Sequence, residues 1–275
     1  GSLVTPGLVD AHTHLVFGGW RAHEMQMKLA GVPYLDILSQ GGGILSTVRA
    51  TRASTKEALA EKAEAALSEM LSLGVTTAEA KSGYGLSLAE ELKQMEVVKA
   101  LNQRQPVQLV STLMAAHAVP EEYKDNRRAF IDLIIQEIIP QAAQSGLAAF
   151  CDVFCETGVF SVAESREILL AAKAHGLGLK IHADEINAIG GSELAGELNA
   201  ISAEHLIAIR PSGIAALKAG GVIACLLPAT SFYLDKPFAP ARELIAAGVP
   251  VAIATDFNPG SCPGLNLQLC INLAS

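Results

Sequence analysis

The sequence predicts a (β/α)8 barrel of parallel strands, the TIM-type fold, and three observations carry the prediction. Short apolar runs rich in β-branched and small residues recur eight times along the 275 residues, each too brief for a helix. Between them lie helical segments with legible starts and stops. Apolar strands alternating with helices call for a parallel sheet covered on its outer face, and no linker-like stretch splits the series.

Taken in order, the strands are expected at Leu8–His12, Val75–Ala80, Val107–Ala115, Phe150–Phe154, Gly178–His182, Ile201–His205, Val222–Leu227 and Val249–Thr255. The excursion from Leu15 to Ser54 reads as a long functional loop, and its Gly41-Gly42-Gly43 run, lacking the lysine of a phosphate loop, as a flexible turn. Ser54 and Glu57 have capping-box spacing ahead of a helix over Ala58–Leu73, with Gly74 as its stop. Ser87 with Glu90 repeats the device before Leu92–Leu101, and Ser161 with Glu164 before Ile168–Ala174, where Gly176 follows. Leu265–Ser275 reads as only the start of an eighth helix, which is therefore expected to be truncated.

Half of the residues are hydrophobic and 17% are charged, which suits a large buried core and excludes a disordered chain. The balance of 28 acidic against 20 basic residues gives −8, with no Lys/Arg block, so neither nucleic acid nor an anionic membrane is an expected partner. The longest uncharged apolar run, Ala219 to Leu234, is too short for a membrane span and is broken by Pro228, Thr230 and Ser231. Five cysteines (Cys151, Cys155, Cys225, Cys262, Cys270) lack zinc-ribbon spacing and are expected to be reduced. No signal peptide is read ahead of the first strand, and the expected location is cytoplasmic.

The chemistry is carried by residues at strand ends. His12 and His14 sit at i and i+2, so on a strand both imidazoles point to one face, an arrangement that suits a borderline transition metal. His182 closes the fifth expected strand, His205 the sixth, and Asp256 follows the eighth. In a parallel barrel these C-terminal ends meet on one rim, where active sites of the fold lie. Glu185 follows His182 by three residues, placed to give or take a proton; the bland alternative is an acid at a helix start. His117, at the end of the third strand, is expected to touch substrate. Tyr84 lies between two glycines after the second strand, and Asn258, Gly260 and Ser261 follow Asp256. Arg21 and Tyr34 lie in the long first excursion, where an arginine can grip a carboxylate bidentately. His23 reads as solvated or behind the ligands, and His175 as a helix-end charge.

The stretch Pro6 to His14 (PGLVDAHTH), with His182, His205 and Asp256, resembles the amidohydrolase superfamily. More narrowly, the segments starting at His14 (HLVFGG), Lys81 (KSGYGL), Ala116 (AHAVP), Phe154 (FCETGVFS), Gly190 (GGSELA) and Ala254 (ATDFNPGS) resemble the imidazolonepropionase family across essentially the whole chain. That resemblance implies hydrolysis of 4-imidazolone-5-propanoate to N-formimino-L-glutamate in histidine degradation. It implies one metal, zinc or iron, on His12, His14, His182 and Asp256. Arg21, Tyr34, Tyr84, His117, Glu185 and Ser261 would contact a small substrate bearing a carboxylate, Asn258 and Gly260 the product, and Glu185, His205 and Asp256 would share the proton work. It also implies a homodimer, and flanking segments forming a small β-sandwich; residues 1–275 would then be the barrel domain alone.

Two other readings belong beside this one. A cytosine- or guanine-type deaminase uses the same histidine pair and aspartate, and is distinguished by releasing ammonia. A metal-free barrel serving as a scaffold is the non-enzyme reading, and retention of every expected ligand argues against it.

Overall fold

The computed structural model describes residues 4–32 and 42–275. Eight parallel strands form one sheet in sequence order: β1 (Leu8–Asp10), β2 (Val75–Lys81), β3 (Gln108–Ala116), β4 (Phe150–Cys155), β5 (Gly178–Ala183), β6 (Ser202–His205), β7 (Ile223–Leu226) and β8 (Val251–Ile253). All eight expected strands are present, with ends within two residues of the expected ones. The sheet curls until its two edges meet just above β1 and β8. Thr13 and Phe257 form a parallel bridge there, the Asp256 N–H donates to the His12 carbonyl (3.0 Å) and the His14 N–H to that of Phe257 (2.8 Å). Lower on the seam the Asp10 carboxylate accepts from the Thr255 N–H (3.0 Å) and hydroxyl (2.6 Å). The result is a TIM-type barrel.

The apolar core lies between sheet and helices. Outward-facing Leu113, Val153, Ile181, Ala203 and Ala224 pack with Ile134, Ile168, Leu194 and Leu217 from the surrounding helices. Gly196, in the helix Gly191–Leu198, lies directly against the helix Pro211–Gly220: a Cβ there would run into the Ala216 carbonyl oxygen, and one at Gly220 into Gly196.

Three local expectations change. The excursion after β1 is not simply loop, since its described parts include helices at Ala22–Leu29 and Ile44–Ala53. The end of the glycine run is structured: Gly43 caps the second of these helices, and its N–H donates to Glu24 Oε1 (2.6 Å). The helix Lys56–Ser72 is capped not by Ser54 but by Thr55, whose hydroxyl accepts from the Ala58 N–H (3.2 Å), while Ser54 bonds back to the Ala50 carbonyl (2.8 Å). Two adjacent hydroxyls with extended backbone offered the cap; the Ser54 hydroxyl is engaged by the Ala50 carbonyl at the end of the preceding helix, and Thr55 took it. Ser87 begins the helix Leu88–Leu101 without a side-chain cap, and Glu90 pairs with Lys93 instead. Ser161 and Glu164 form the complete capping box ahead of Val162–Ala174.

Between β3 and β4 a helical segment runs from Arg127 to Gln144 and opens into a π turn over Ile134–Ile138. Pro140 accounts for the opening, because it has no N–H to give to Gln136 and its ring needs room at that carbonyl.

Candidate active site

Period-two alternation puts Asp10, His12 and His14 on the inner face of the first strand and its extension, Glu79 and Lys81 on that of β2, Asp152 on β4, Lys180 and His182 on β5, and Glu204 on β6. All are buried, so the interior beneath the rim is charged rather than aliphatic.

His12, His14 and His182 gather their ring nitrogens into one cluster, and His12, His205 and Asp256 into a second that shares His12. Asp256 Oδ1 lies 3.4 Å from His12 Nε2 and 3.7 Å from His14 Nε2, while its Oδ2 accepts from the Thr230 hydroxyl at 2.7 Å. Two of the rings meet a carboxylate from behind. His12 Nδ1 donates to Glu204 Oε2 (2.7 Å), and His182 Nδ1 sits 3.0 Å from Asp152 Oδ2 in an oblique ion-pair contact. His12 Nε2, His14 Nδ1 and both ring nitrogens of His182 are buried without a hydrogen-bond partner. Burial, reinforced by Lys81 and the neighbouring rings, holds all three imidazoles neutral, with pKa values far below that of a free histidine. Neutral buried nitrogens that lack partners are costly unless something accepts their lone pairs, so the donor set fits a transition-metal cation.

Left-handed backbone is concentrated on this rim, at Asp184 (φ 51°), His205 (φ 69°), Leu206 (φ 60°) and Asp256 (φ 56°). Strict alternation would send His205 outward, because Glu204 already faces in. The positive φ breaks the alternation, and the His205 ring comes to 5.1 Å from that of His182 and 5.7 Å from that of His12. His205 Nε2 also lies 3.6 Å from Glu185 Oε2. Burial, with help from Glu156, raises the Glu185 carboxyl to about 7, so it carries a proton through much of the neutral range. Burial likewise raises Asp256 to about 6 despite His205 and Thr230. Asp184 turns away from Glu185 and accepts from the Ser192 hydroxyl.

The remaining expected residues surround this cluster. His117 stacks on His14 (4.9 Å, 17°) and meets the Gly83 carbonyl through Nδ1 (3.1 Å), and burial lowers its pKa to about 4. Tyr84 packs 5.7 Å from His14, and burial pushes its phenol pKa up, keeping it protonated. Arg21 lies against Gly260, where any Cβ would strike the guanidinium, so glycine makes room for the arginine. Asn258 differs from expectation in that its side chain is spent within its own loop: Oδ1 accepts from the Gly260 (2.9 Å) and Ser261 (2.7 Å) N–H groups, and Nδ2 donates to the Asp256 carbonyl (2.7 Å) and the Ser261 hydroxyl (2.8 Å). Tyr34 lies outside the described residues. His23 and His175 are exposed and far from this chemistry in character.

Sequence reading missed the groups behind the rim. Glu156 ties two loops together, accepting from the backbone N–H groups of Thr157 (2.7 Å), Ile186 (2.8 Å) and Asn187 (3.0 Å), and so fixes the turn that carries Glu185. Glu91 does the same for the Tyr84 loop through the N–H groups of Gly83, Gly85 and Leu86. Neither has a strand signal to find it by, since Glu91 lies in the helix Leu88–Leu101 and Glu156 directly follows β4.

Among known proteins, the model of the family described as the amidohydrolase family matches residues 3–275. An imidazolonepropionase of Fusobacterium nucleatum subsp. nucleatum is 58% identical over 275 residues, covering 100% of this chain and 66% of that protein. One from Alkaliphilus metalliredigens is 56% identical over 274 residues, covering 99% and 65%. The chain thus spans just under two thirds of the length of these curated relatives. Among solved structures, a 5-methylcytosine deaminase from Klebsiella pneumoniae liganded with phosphonocytosine aligns with a TM-score of 0.73 at 17% identity, over 98% of this chain and 68% of that one. An adenosine deaminase from Xanthomonas campestris with bound zinc aligns at 0.65 and 19%, over 98% and 60%. At those identities the likeness is one of fold. Among the described residues no helix is long and apolar enough to cross a membrane.

Proposed function

The chain belongs to the amidohydrolase family, and on that premise we propose that it hydrolyses the cyclic amide C–N bond of 4-imidazolone-5-propanoate to give N-formimino-L-glutamate. The observation that carries this reading is the company kept by the buried histidines. Three neutral imidazoles with unpartnered nitrogens share one rim with a proton-holding Glu185 and with Arg21 in the notch at Gly260. Similarity to imidazolonepropionases along the whole chain favours it over a deaminase.

In this reading His12, His14, His182 and Asp256 hold one metal ion, zinc or iron, since their neutral nitrogens and carboxylate suit either. When bound, the metal supplies Lewis-acid activation of water and of the carbonyl oxygen. The chain's own residues divide the rest. Arg21 binds the propanoate, a cation answering an anion within an acidic protein. Tyr84, His117 and Ser261 orient the ring, and Gly260 and Asn258 shape the loop against which product rests. Asp256 takes the proton that the attacking water gives up. Glu185 Oε2, kept partly protonated near neutral pH by burial, delivers a proton to the departing ring nitrogen, with His205 beside it at 3.6 Å to steady the carboxyl and the developing oxyanion. A homodimer, read from the same resemblance, completes the proposal and is tested by the mass of the protein in solution.

Loss of imidazolone absorbance is the direct assay, run on protein of known metal content. Glu185→Gln is expected to lower kcat at least about 100-fold with the metal retained, as for loss of a general acid, and His182→Ala to lose metal and activity together. Normal turnover by Glu185→Gln would sink the assignment, and release of ammonia in place of ring opening would favour an aminated-ring substrate.

A further inference from the structure

Below the rim a single line of buried charges runs from one expected metal ligand to another. Glu204 turns Oε2 to His12, and its Oε1 meets Lys180 Nζ at 3.2 Å and accepts from the Ser202 hydroxyl. Lys180 Nζ continues to Glu79 Oε1 (2.8 Å) and to the Ala11 carbonyl beside His12 (3.1 Å). Glu79 Oε2 meets Lys81 Nζ at 2.9 Å, and Lys81 Nζ donates to Asp152 Oδ2 at 2.7 Å, next to His182 Nδ1. Signs alternate at every step, so each desolvated charge has opposite neighbours. Barrels of this type usually fill that space with aliphatic side chains, which pack at no desolvation cost.

We propose that Glu79, Lys81 and Lys180 are positioning residues for the metal site, fixing the Glu204 and Asp152 carboxylates so that His12 offers Nε2 to the ion and the His182 ring is held in place beside Asp152. The inference rests on the ligand reading above. A free carboxylate swivels, and either of its oxygens can serve a neighbouring imidazole. Here Lys180 and Ser202 occupy Oε1 of Glu204, which leaves Oε2 for the His12 Nδ1–H. An imidazole that donates through Nδ1 has its lone pair on Nε2. The independent mark of that outcome at His12 is that its Nε2 is buried and makes no hydrogen bond within the protein; at His182 neither ring nitrogen makes one, and Nδ1 lies 3.0 Å from Asp152 Oδ2. Charge alone predicts the reverse effect for a lysine, since a cation near the site repels a metal ion and its removal tightens binding.

The test compares zinc affinity, by competition with a chromophoric chelator, in the full chain and in a Glu79→Gln/Lys180→Met double variant. The pair removes one acid and one base, leaving the net charge of the line unchanged. The proposal expects a cooperative melt and zinc binding weakened about 10-fold or more, within the range found for groups that orient ligands. Long-range 1H–15N spectra of the metal-free protein are expected to place the His12 proton on Nδ1 in the wild type and on a mixture of nitrogens in the variant. Should the double variant fail to melt cooperatively, Glu79→Gln alone, an isosteric change, is read through the His12 tautomer, because loss of one acid weakens zinc binding by charge alone. Wild-type affinity with an unchanged tautomer overturns the proposal, as does tighter binding. His12→Ala separates the two layers: unchanged zinc binding there overturns the ligand reading and this inference with it. Loss in His12→Ala with none in the double variant overturns the inference alone.

Discussion

Asn258 illustrates how a residue can matter to a site without facing it. Its amide closes the loop after β8 from both ends, taking the N–H groups of Gly260 and Ser261 and donating to Asp256 and Ser261. Asn258→Ala would leave several buried or half-buried partners unmade, and the expected cost is about 2 kcal/mol. For a protein of this size that is a fall in Tm of roughly 5 °C, with weaker substrate binding because Arg21 loses its seat at Gly260. A melt and a KM measurement check both parts. The same logic governs Glu156 and Glu91, whose carboxylates are consumed by backbone N–H groups of the turns that present Glu185 and Tyr84.

At the scale of elements, the three capping-box spacings give a controlled comparison. Only Ser161 with Glu164 forms the reciprocal pair, and Ser87 makes no side-chain cap. Ser161→Ala is therefore expected to cost about 1 kcal/mol and Ser87→Ala close to nothing, measured by urea unfolding. Glu164 adds a pH dependence. Burial pushes its carboxyl up, but Arg127 and the Ser161 cap outweigh it and bring the folded pKa down to about 2. Its stabilisation is thus fully present above the ordinary carboxylate value of about 4.3 and is lost as pH falls toward the folded value. The stability gap between wild type and Glu164→Gln should accordingly shrink between pH 6 and pH 3.5 in urea titrations; a constant gap would contradict the assignment. Helix against helix, Gly196→Ala is expected to destabilise by about 1–3 kcal/mol, because the Ala216 carbonyl leaves no room for a methyl group.

For the whole molecule the decisive join is the seam between first and last strands. The named strands of β1 and β8 are short, and the edges are held by backbone bonds above them and by the Asp10 carboxylate on Thr255. His12, His14 and Asp256 all lie on this seam, so barrel closure and assembly of the proposed metal ligands are one event. Asp10→Ala strips two hydrogen bonds from buried partners, and the expected loss is about 3 kcal/mol. Because the seam carries the ligands, zinc affinity should fall alongside Tm. Stability lost with zinc affinity intact would mean that the ligands assemble independently of closure.

The sequence by itself determined the order of the strands and the capped helices between them, because strand burial and helix capping leave local signatures at period two and at helix ends; the helices Ala22–Leu29 and Ile44–Ala53 in the first excursion escaped it. It also placed His12, His14, His182, His205 and Asp256 at strand ends, and the parallel topology turns strand ends into one rim. What it could not determine is which neighbours stand behind that rim. Glu79, Lys81, Asp152, Lys180 and Glu204 come from four strands and meet only when the sheet closes, so no spacing along the chain encodes their pairing. The orientation of His205 was equally hidden, since it depends on a left-handed turn at its own Cα. The cap at Thr55 rather than Ser54 was a choice between adjacent hydroxyls, made by how the preceding helix Ile44–Ala53 ends. Local chemistry is written in neighbouring residues, whereas the partners of a buried charge are set by the three-dimensional requirement that it not be left alone in a low-dielectric interior.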